Sequence, residues 1–198
     1  MTGLLLASRS LTRQRLLRDA GVLFEVKPAA VDESSILASL QAEGASGRDA
    51  ADLLAEMKAL QVSRSIDEWF VLGADQVLSL GNEHFEKPGS LAGARAQLLK
   101  LRGQKHLLSS AVCVARNGSV VWRYIGQARM TMRDFSEAFL DEYLDRAGDA
   151  ILGSVGAYHV EGLGLQLFSA VEGDHFTIQG LPLVPLLDFL RLHGLLRS

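Results

Sequence analysis

Trp69-Phe-Val-Leu-Gly-Ala-Asp75-Gln-Val-Leu-Ser-Leu80 is a nearly continuous apolar run that is interrupted by one carboxylate. Its β-branched and aromatic residues favour a strand, and apolar residues on both sides predict that helices cover both faces of the sheet. A carboxylate inside such a strand must be hydrogen-bonded, paired or bound to a metal, because burying an isolated charge is costly. Gly73 indicates that a ligand or another backbone approaches closely. The alternative is an Asp75 that caps a turn at the strand end.

The composition is typical of a globular protein and does not favour a nucleic-acid-binding or membrane protein. The 198 residues are 48% apolar and 22% charged, with a net charge of −3, and we expect one domain over residues 1–198. The sequence has no strongly basic region that would favour binding to nucleic acid. It also has no apolar segment long enough to cross a membrane. The single Cys113 forms no internal disulfide, and this favours the reducing cytoplasm.

A Ser-rich turn follows the first predicted strand, Gly3 to Ala7. Ser8 and Ser10 precede a helix, and Arg13 lies one turn inside it. The free amides and positive end of a helix, with hydroxyl and guanidinium donors beside them, are suited to bind an anion such as phosphate. An ordinary serine cap on a surface helix is the alternative reading.

Two further segments carry polar residues that suit phosphate chemistry. Asp32 and Glu33 precede a helix, where carboxylates usually act as caps, but the same pair is suited to a divalent cation. Lys58 lies on the flank of a helix that is predicted from Asp49 onward, and its side chain either remains in solvent or turns inward.

The remaining chain predicts further strands and helices. Val22 to Val26 resembles a second strand, and Gln41 to Arg48 resembles a linker. Asn117-Gly118 between two alternating runs predicts a hairpin. Helices are expected after Ser90, after Ser136 and near Pro182.

Six motifs in this order resemble those of the Maf family, the septum formation inhibitor-like nucleoside triphosphate pyrophosphatases. They are Leu6-Ala-Ser-Arg-Ser10 with Arg13, Val31-Asp-Glu33, Leu54-Ala-Glu-Met-Lys58-Ala, Gly73-Ala-Asp75, Lys87-Pro88, and Glu172-Gly-Asp with Gly180-Leu-Pro-Leu183. The resemblance implies an α/β fold: an elongated, twisted mixed β-sheet, flanked by helices and containing a central cleft, shared with the inosine triphosphate pyrophosphatases. It also implies a possible homodimer.

The resemblance further implies a divalent-metal-dependent hydrolase that converts a nucleoside triphosphate to the monophosphate and pyrophosphate, with a role in cleaning nucleotide pools or arresting cell division. Asp75 then acts as general base or metal ligand, with the family favouring the base. Glu33 holds Mg²⁺ or Mn²⁺, and the phosphate-binding residues are Ser8, Ser10, Arg13, Lys58 and Lys87. The alternative function is a non-catalytic nucleotide-binding regulator of cell division.

Three positions are expected to select the base. Gln76 and Glu161 resemble the family's 7-methyl-GTP subgroup, whereas the dTTP/UTP subgroup has Thr and Gln there. A carboxylate accepts hydrogen bonds from both N1–H and the N2 amino group of guanine. Thr12 fits neither subgroup, and Leu11 replaces the family's proline.

Overall fold

The computed structural model describes residues 3–197, which form one seven-stranded mixed sheet with helices packed on it. The strands are β1 (Leu4–Leu6), β2 (Glu25–Val26), β3 (Phe70–Leu80), β4 (Glu83–Phe85), β5 (Lys105–Arg116), β6 (Ser119–Met132) and β7 (Phe168–Glu172). The helices are α1 (Leu11–Asp19), α2 (Glu33–Ala42), α3 (Gly47–Ser63), α4 (Leu91–Leu101), α5 (Glu137–Ala147), α6 (His175–Ile178) and α7 (Leu183–Leu192). Two 3₁₀ helices, Gly148–Gly153 and Leu163–Leu167, connect α5 to β7.

Strand β3 lies in the middle of the sheet. The order is β2-β1-β3-β5-β6-β7, with β4 paired to the far end of β3. Strands β1 and β2 run parallel to each other, and β1 runs parallel to β3, whereas β3, β5, β6 and β7 pair antiparallel. The predicted mixed sheet with flanking helices is therefore confirmed. None of the helices among residues 3–197 is long and apolar enough to span a membrane.

The two faces of β3 contact different helices because successive side chains point to opposite faces. Leu72 and Ala74 belong to the apolar cluster that contains Leu17 of α1 and Leu186 of α7. Val77 belongs to the cluster that contains the alanines of α3. Asp75 shares the parity of Val77, so its side chain is directed towards α3.

The hairpin predicted at Asn117 and Gly118 is present. Both residues have positive φ, 50° and 73°, which is the conformation that a two-residue type I′ turn requires. Strands β5 and β6 extend from it over 12 and 14 residues, with a register shift between Val114 and Ala115.

Several predicted boundaries were wrong. The strand expected from Val22 to Val26 is reduced to Glu25–Val26, because the Val22 amide donates to Leu17 and completes the end of α1. Helix α3 begins at Gly47 rather than Asp49, since the Ser46 hydroxyl accepts from the Asp49 amide as the N-cap. Half of the expected linker, residues 41–42 and 47–48, belongs to α2 or α3.

Candidate active site

A cleft of about 680 Å³ opens beside the middle of β3. All ten residues that the sequence nominated for chemistry line it, although they come from six separate chain segments. They are Ser8, Ser10, Thr12, Arg13, Glu33, Lys58, Asp75, Gln76, Lys87 and Glu161. The structure brings them together in one cleft, and their individual roles remain predictions.

Asp75 is paired inside the protein. Its Oδ1 atom accepts a hydrogen bond from the Lys58 ammonium, and only 6% of Asp75 and 5% of Lys58 are exposed. Lys58 Nζ also lies 2.8 Å from Oε1 of Glu33, whose side chain is half exposed. One buried ammonium therefore holds two carboxylates at the cleft wall. The Lys58 side chain therefore turns inward, which answers the question that the sequence left open.

Gly73 explains why α3 lies close enough for this pair to form. A β-carbon at position 73 would overlap the carbonyl oxygen of Ala55 and lie 2.6 Å from the amide nitrogen of Ala59. The helix backbone thus packs directly on β3, two residues before Asp75. Lys58 lies on the same part of α3 and reaches Asp75 across this contact.

The Ser-rich turn sits beside Asp75 because β1 ends where β3 continues. The Ala7 amide donates to Leu72, after which the chain turns into α1. Ser10 is the N-cap, and its hydroxyl oxygen accepts from the Arg13 amide at 3.3 Å. Ser8 Oγ accepts from the Ser10 amide and from Arg13 Nη1, each at 3.2 Å. Neither hydroxyl donates a hydrogen bond within residues 3–197, so both protons are available to a ligand.

Arg13 is buried and holds three chain segments together. Its Nη1 atom donates to the carbonyl of Ala74, and its Nε atom donates to the carbonyl of Gly180, both at 2.8 Å. Burial lowers the pKa of Arg13, and the negative charges of Asp75 and Glu33 oppose that shift. An arginine nevertheless remains protonated in proteins. The permanent positive charge of Arg13 therefore lies next to Asp75.

Burial raises the pKa of the Asp75 carboxyl above its ordinary value, and the positive charges of Lys58 and Arg13 oppose that rise. A carboxylate held in place by a lysine at one oxygen keeps its second oxygen, Oδ2, for another donor. A water molecule in the cleft is one such donor, and this arrangement is suited to general-base chemistry.

The two carboxylates also suit a divalent cation in the presence of a phosphate ligand. Among residues 3–197, no group of three or more His, Cys, Asp or Glu side chains is placed to hold a metal alone. Mg²⁺ is commonly bound by one or two carboxylates together with substrate phosphates and waters. Glu33 and Asp75, which converge on Lys58, supply that number of carboxylates.

Lys87 and Thr12 also line the cleft. The Lys87 side chain is exposed, and within residues 3–197 it makes no ion pair with a carboxylate. Thr12 is half-buried in the first turn of α1. Lys87 is thus available to an anion, whereas Lys58 is occupied by carboxylates.

The two other nominated base-selecting residues are held by hydrogen bonds. Gln76 Nε2 donates to Ser110 Oγ and to the carbonyl oxygens of Thr177 and Ile178. Glu161 Oε1 accepts from Arg15 Nη2 at 3.2 Å. One of the two carboxylate oxygens of Glu161 is thereby engaged within the protein.

Sequence reasoning missed Arg15, Ser110 and Gln179. Arg15 lies among several charged residues of α1, and Ser110 lies in an apolar strand. Gln179 lines the cleft and precedes Gly180-Leu-Pro-Leu183, so its position beside a recognised motif was the one available signal.

The comparisons with known proteins identify the family. The model of the family described as "Maf-like protein" matches residues 3–193. A nucleoside triphosphate pyrophosphatase of Rhodospirillum rubrum is 55% identical over 194 residues, covering 98% of this chain and 96% of that protein. A 7-methyl-GTP pyrophosphatase of Brucella abortus biovar 1 is 50% identical over 188 residues, covering 95% and 94%.

Among solved structures, a nucleoside-triphosphatase (dITP/XTP pyrophosphatase) from Mycobacterium abscessus covers 100% of this chain and 98% of its own, with 15% sequence identity and a TM-score of 0.44. The matches of the family model and of the full-length relatives agree with the six motifs, each of which contributes at least one residue to the cleft. The chain belongs to the Maf family.

Proposed function

We propose that this chain hydrolyses a nucleoside triphosphate between the α and β phosphates and releases the monophosphate and pyrophosphate. The observation that carries the proposal is the buried Lys58–Asp75 pair, which places an oriented carboxylate in the cleft next to the Ser8–Arg13 turn. Relatives that match nearly the whole chain are named nucleoside triphosphate pyrophosphatases, and this supports the same activity here.

Asp75 acts as the general base in this proposal. Its Oδ2 atom takes a proton from a water molecule while Lys58 holds Oδ1 in place. The water oxygen forms a bond to the α-phosphorus, the bond from that phosphorus to the α–β bridging oxygen breaks, and pyrophosphate leaves. The proton on Asp75 then passes to solvent. A positioned base contributes about 10²–10⁴-fold to such a reaction.

In the proposed complex, one set of groups binds phosphate and another set positions the base. The hydroxyls of Ser8 and Ser10 and the first-turn amides of α1 bind phosphate oxygens near the reacting centre. Lys87, exposed and without a carboxylate partner in the described chain, binds the outer phosphates. Arg13 supplies fixed positive charge behind the base, and Lys58 acts mainly by orienting Asp75 and Glu33.

Metal dependence is part of the proposal. Glu33, with Asp75 nearby, would hold Mg²⁺ or Mn²⁺ together with phosphate oxygens of the substrate. The ion would supply positive charge that stabilises the phosphates as the anhydride breaks. The cytoplasmic location that the single cysteine favours, and a homodimer, belong to the proposal as well.

A nucleotide panel tests the activity. Pyrophosphate and orthophosphate are quantified separately for 7-methyl-GTP, GTP, UTP, dTTP and ATP, with Mg²⁺, Mn²⁺ or a chelator. Metal-dependent release of pyrophosphate from at least one nucleotide is expected. Tight nucleotide binding without turnover would instead favour a regulator of cell division, and release of orthophosphate alone would contradict cleavage between the α and β phosphates.

A further inference from the structure

A second pocket lies at the first turn of α3 and shares no lining residue with the cleft. Residues 44–48 form one wall of this pocket, and residues of β3, β4, β5 and β6 form the other. Its volume is about 270 Å³, compared with about 680 Å³ for the cleft. Pockets for drug-sized ligands usually occupy about 300–1,000 Å³. This α3 pocket therefore suits a small ion rather than a nucleotide.

The first turn of α3 carries two backbone amides without acceptors. Ser46 is the N-cap, and its hydroxyl oxygen accepts from the Asp49 amide at 3.2 Å. The amides of Gly47 and Arg48 donate to no acceptor within residues 3–197, as is usual in the first turn of a helix. Both residues line the α3 pocket. Free amides at the positive end of a 17-residue helix favour a negatively charged ligand.

The hydroxyl of Ser79 is directed towards this turn from β3. A β-carbon at position 47 would lie only 3.0 Å from Ser79 Oγ. Ser79 is 6% exposed and lines the α3 pocket, but its hydroxyl makes no hydrogen bond within residues 3–197. Buried polar groups nearly always have a hydrogen-bond partner, because leaving one unpaired costs free energy. The missing partner of Ser79 therefore indicates a ligand acceptor in the pocket.

His84 is a second buried polar side chain in the α3 pocket. It lies directly opposite Ser79 in the pairing of β3 with β4, so the two side chains share a face of the sheet. His84 is also buried, and its Nδ1 atom has no hydrogen-bond partner within the described chain. Burial lowers the pKa of His84, so the ring is uncharged at neutral pH. In the tautomer that carries hydrogen on Nδ1, it adds an uncharged donor.

The charge of the α3 pocket is positive. Its lining, taken over residues 3–197, includes no Asp or Glu, and Arg48 is the one charged side chain in it. Arg48 is exposed and makes no ion pair with a carboxylate in the described chain. The adjacent Asp49 does not line the pocket, and its Oδ2 atom accepts from the Ser46 hydroxyl at 2.7 Å. A cation would find no carboxylate ligand in this lining, whereas an anion would find several donors.

We propose that the α3 pocket binds a small oxyanion of the phosphate class. The amides of Gly47 and Arg48, the Ser79 hydroxyl and the Arg48 guanidinium donate to its oxygens. Orthophosphate and pyrophosphate present the same acceptor oxygens, and pyrophosphate is also the product of the proposed hydrolysis. The site itself goes beyond that reaction, because it shares no residue with the cleft.

Amide NMR spectroscopy observes the two sites separately. The ¹⁵N-labelled protein is titrated with orthophosphate, with pyrophosphate, and with sodium chloride at matched ionic strength. The amide signals of Gly47 and Arg48 report the α3 pocket, and the Ser10 amide reports the cleft. Saturable shifts of Gly47 and Arg48 with at least one phosphate, but not with chloride, are expected, and the ion that binds more tightly identifies the source. Absence of a saturable shift with both phosphates would overturn the proposal.

Ser79→Ala removes one donor from the α3 pocket and leaves the cleft intact. The phosphate Kd obtained from the Gly47 signal should rise roughly three- to tenfold, the effect of losing one hydrogen bond. The titration curve of the Ser10 signal should not change. An unchanged Kd at Gly47 would refute the contact between Ser79 and the anion.

Arg48→Met removes the positive side chain, with Arg64→Met as the matched control. Arg64 is the C-cap of the same helix, is exposed, and lines neither pocket. Arg48→Met should raise the Kd at Gly47 roughly threefold or more, whereas Arg64→Met should leave it unchanged. Equal losses in the two variants would show that only the net charge of the protein attracts the anion, and would overturn the site.

The α3 pocket and the proposed function fail in different ways. If the protein releases pyrophosphate from nucleotides but the Gly47 and Arg48 signals do not respond to either phosphate, the pocket assignment is wrong and the hydrolysis stands. If those signals respond as expected but no nucleotide is hydrolysed, the activity is wrong and the oxyanion site stands.

Discussion

Lys58 and Asp75 form a buried ion pair that joins α3 to the central strand β3. Together they place an oriented carboxylate beside the Ser8–Arg13 turn. The close packing of α3 on Gly73 makes the pair possible.

The amide substitution Asp75→Asn should remove catalysis while preserving the fold. Asparagine has the same size but cannot accept the proton from water, and Lys58 retains Glu33 as a partner. The initial rate of pyrophosphate release should fall about 10²–10⁴-fold, whereas the Kd of the triphosphate measured by calorimetry should change little. A variant within roughly threefold of the unmodified rate would exclude Asp75 as the base.

Replacing Lys58 should damage stability as well as rate. In Lys58→Met the Asp75 carboxylate stays buried without its hydrogen-bonding partner, and breaking such a pair typically lowers the free energy of unfolding by about 3–5 kcal/mol. Denaturant titration at neutral pH measures this loss. If Lys58→Met were as stable as the parent, Asp75 would be solvated rather than buried.

Lys87→Met provides the contrasting lysine. Because its side chain is exposed, stability should stay within about 0.5 kcal/mol of the parent. Calorimetry should show that Lys87→Met binds the triphosphate more weakly than the unmodified protein does, whereas the two proteins bind the monophosphate almost equally. Equal losses for both ligands would mean that Lys87 does not contact the outer phosphates.

The fall in rate at acidic pH should follow protonation of the Asp75 carboxyl. The base acts only when deprotonated, and burial raises the pKa of its carboxyl above 3.8. Therefore kcat/KM should fall as the pH is lowered through a pKa higher than 3.8, and Lys58→Gln should move this limb to still higher pH, because an opposing positive charge is lost. An inflection at or below 3.8 would contradict burial of the base.

His106 should make stability depend on pH. Its ring is buried, and its Nε2 atom forms a hydrogen bond of 2.7 Å with the Tyr158 hydroxyl. Burial lowers the pKa of His106 from 6.5 to about 4. Between these pH values the unfolded chain binds a proton that the folded chain does not, so the free energy of unfolding should fall as the pH drops from 6.5 to about 4. In His106→Gln, which cannot titrate, this dependence should be weaker. Parallel pH curves for the two proteins would contradict the assignment.

The elements predicted correctly from sequence carry local signals. The β3 strand is a long apolar run, the Asn117-Gly118 turn has a defined conformation, and Ser10, Ser90 and Ser136 each cap the helix that they were expected to begin. A helix cap or hairpin depends on neighbouring residues, which the sequence displays directly.

The missed elements depend on contacts between distant residues. Strand β7 forms by pairing with the end of β6, and helix α6 has only four residues. The Arg15 contacts span 146 and 164 residues. Local periodicity does not contain that information, whereas the resemblance to family motifs nominated cleft residues without showing how Lys58 or Glu161 is held.

Hydrolysis in water enriched with ¹⁸O tests the central claim most directly. If Asp75 activates water against the α-phosphorus, mass spectrometry should find one ¹⁸O atom in each nucleoside monophosphate and none in the pyrophosphate, with no labelled product from Asp75→Asn. Label in the pyrophosphate, or labelled orthophosphate with a nucleoside diphosphate, would show attack at a different phosphorus and contradict the account.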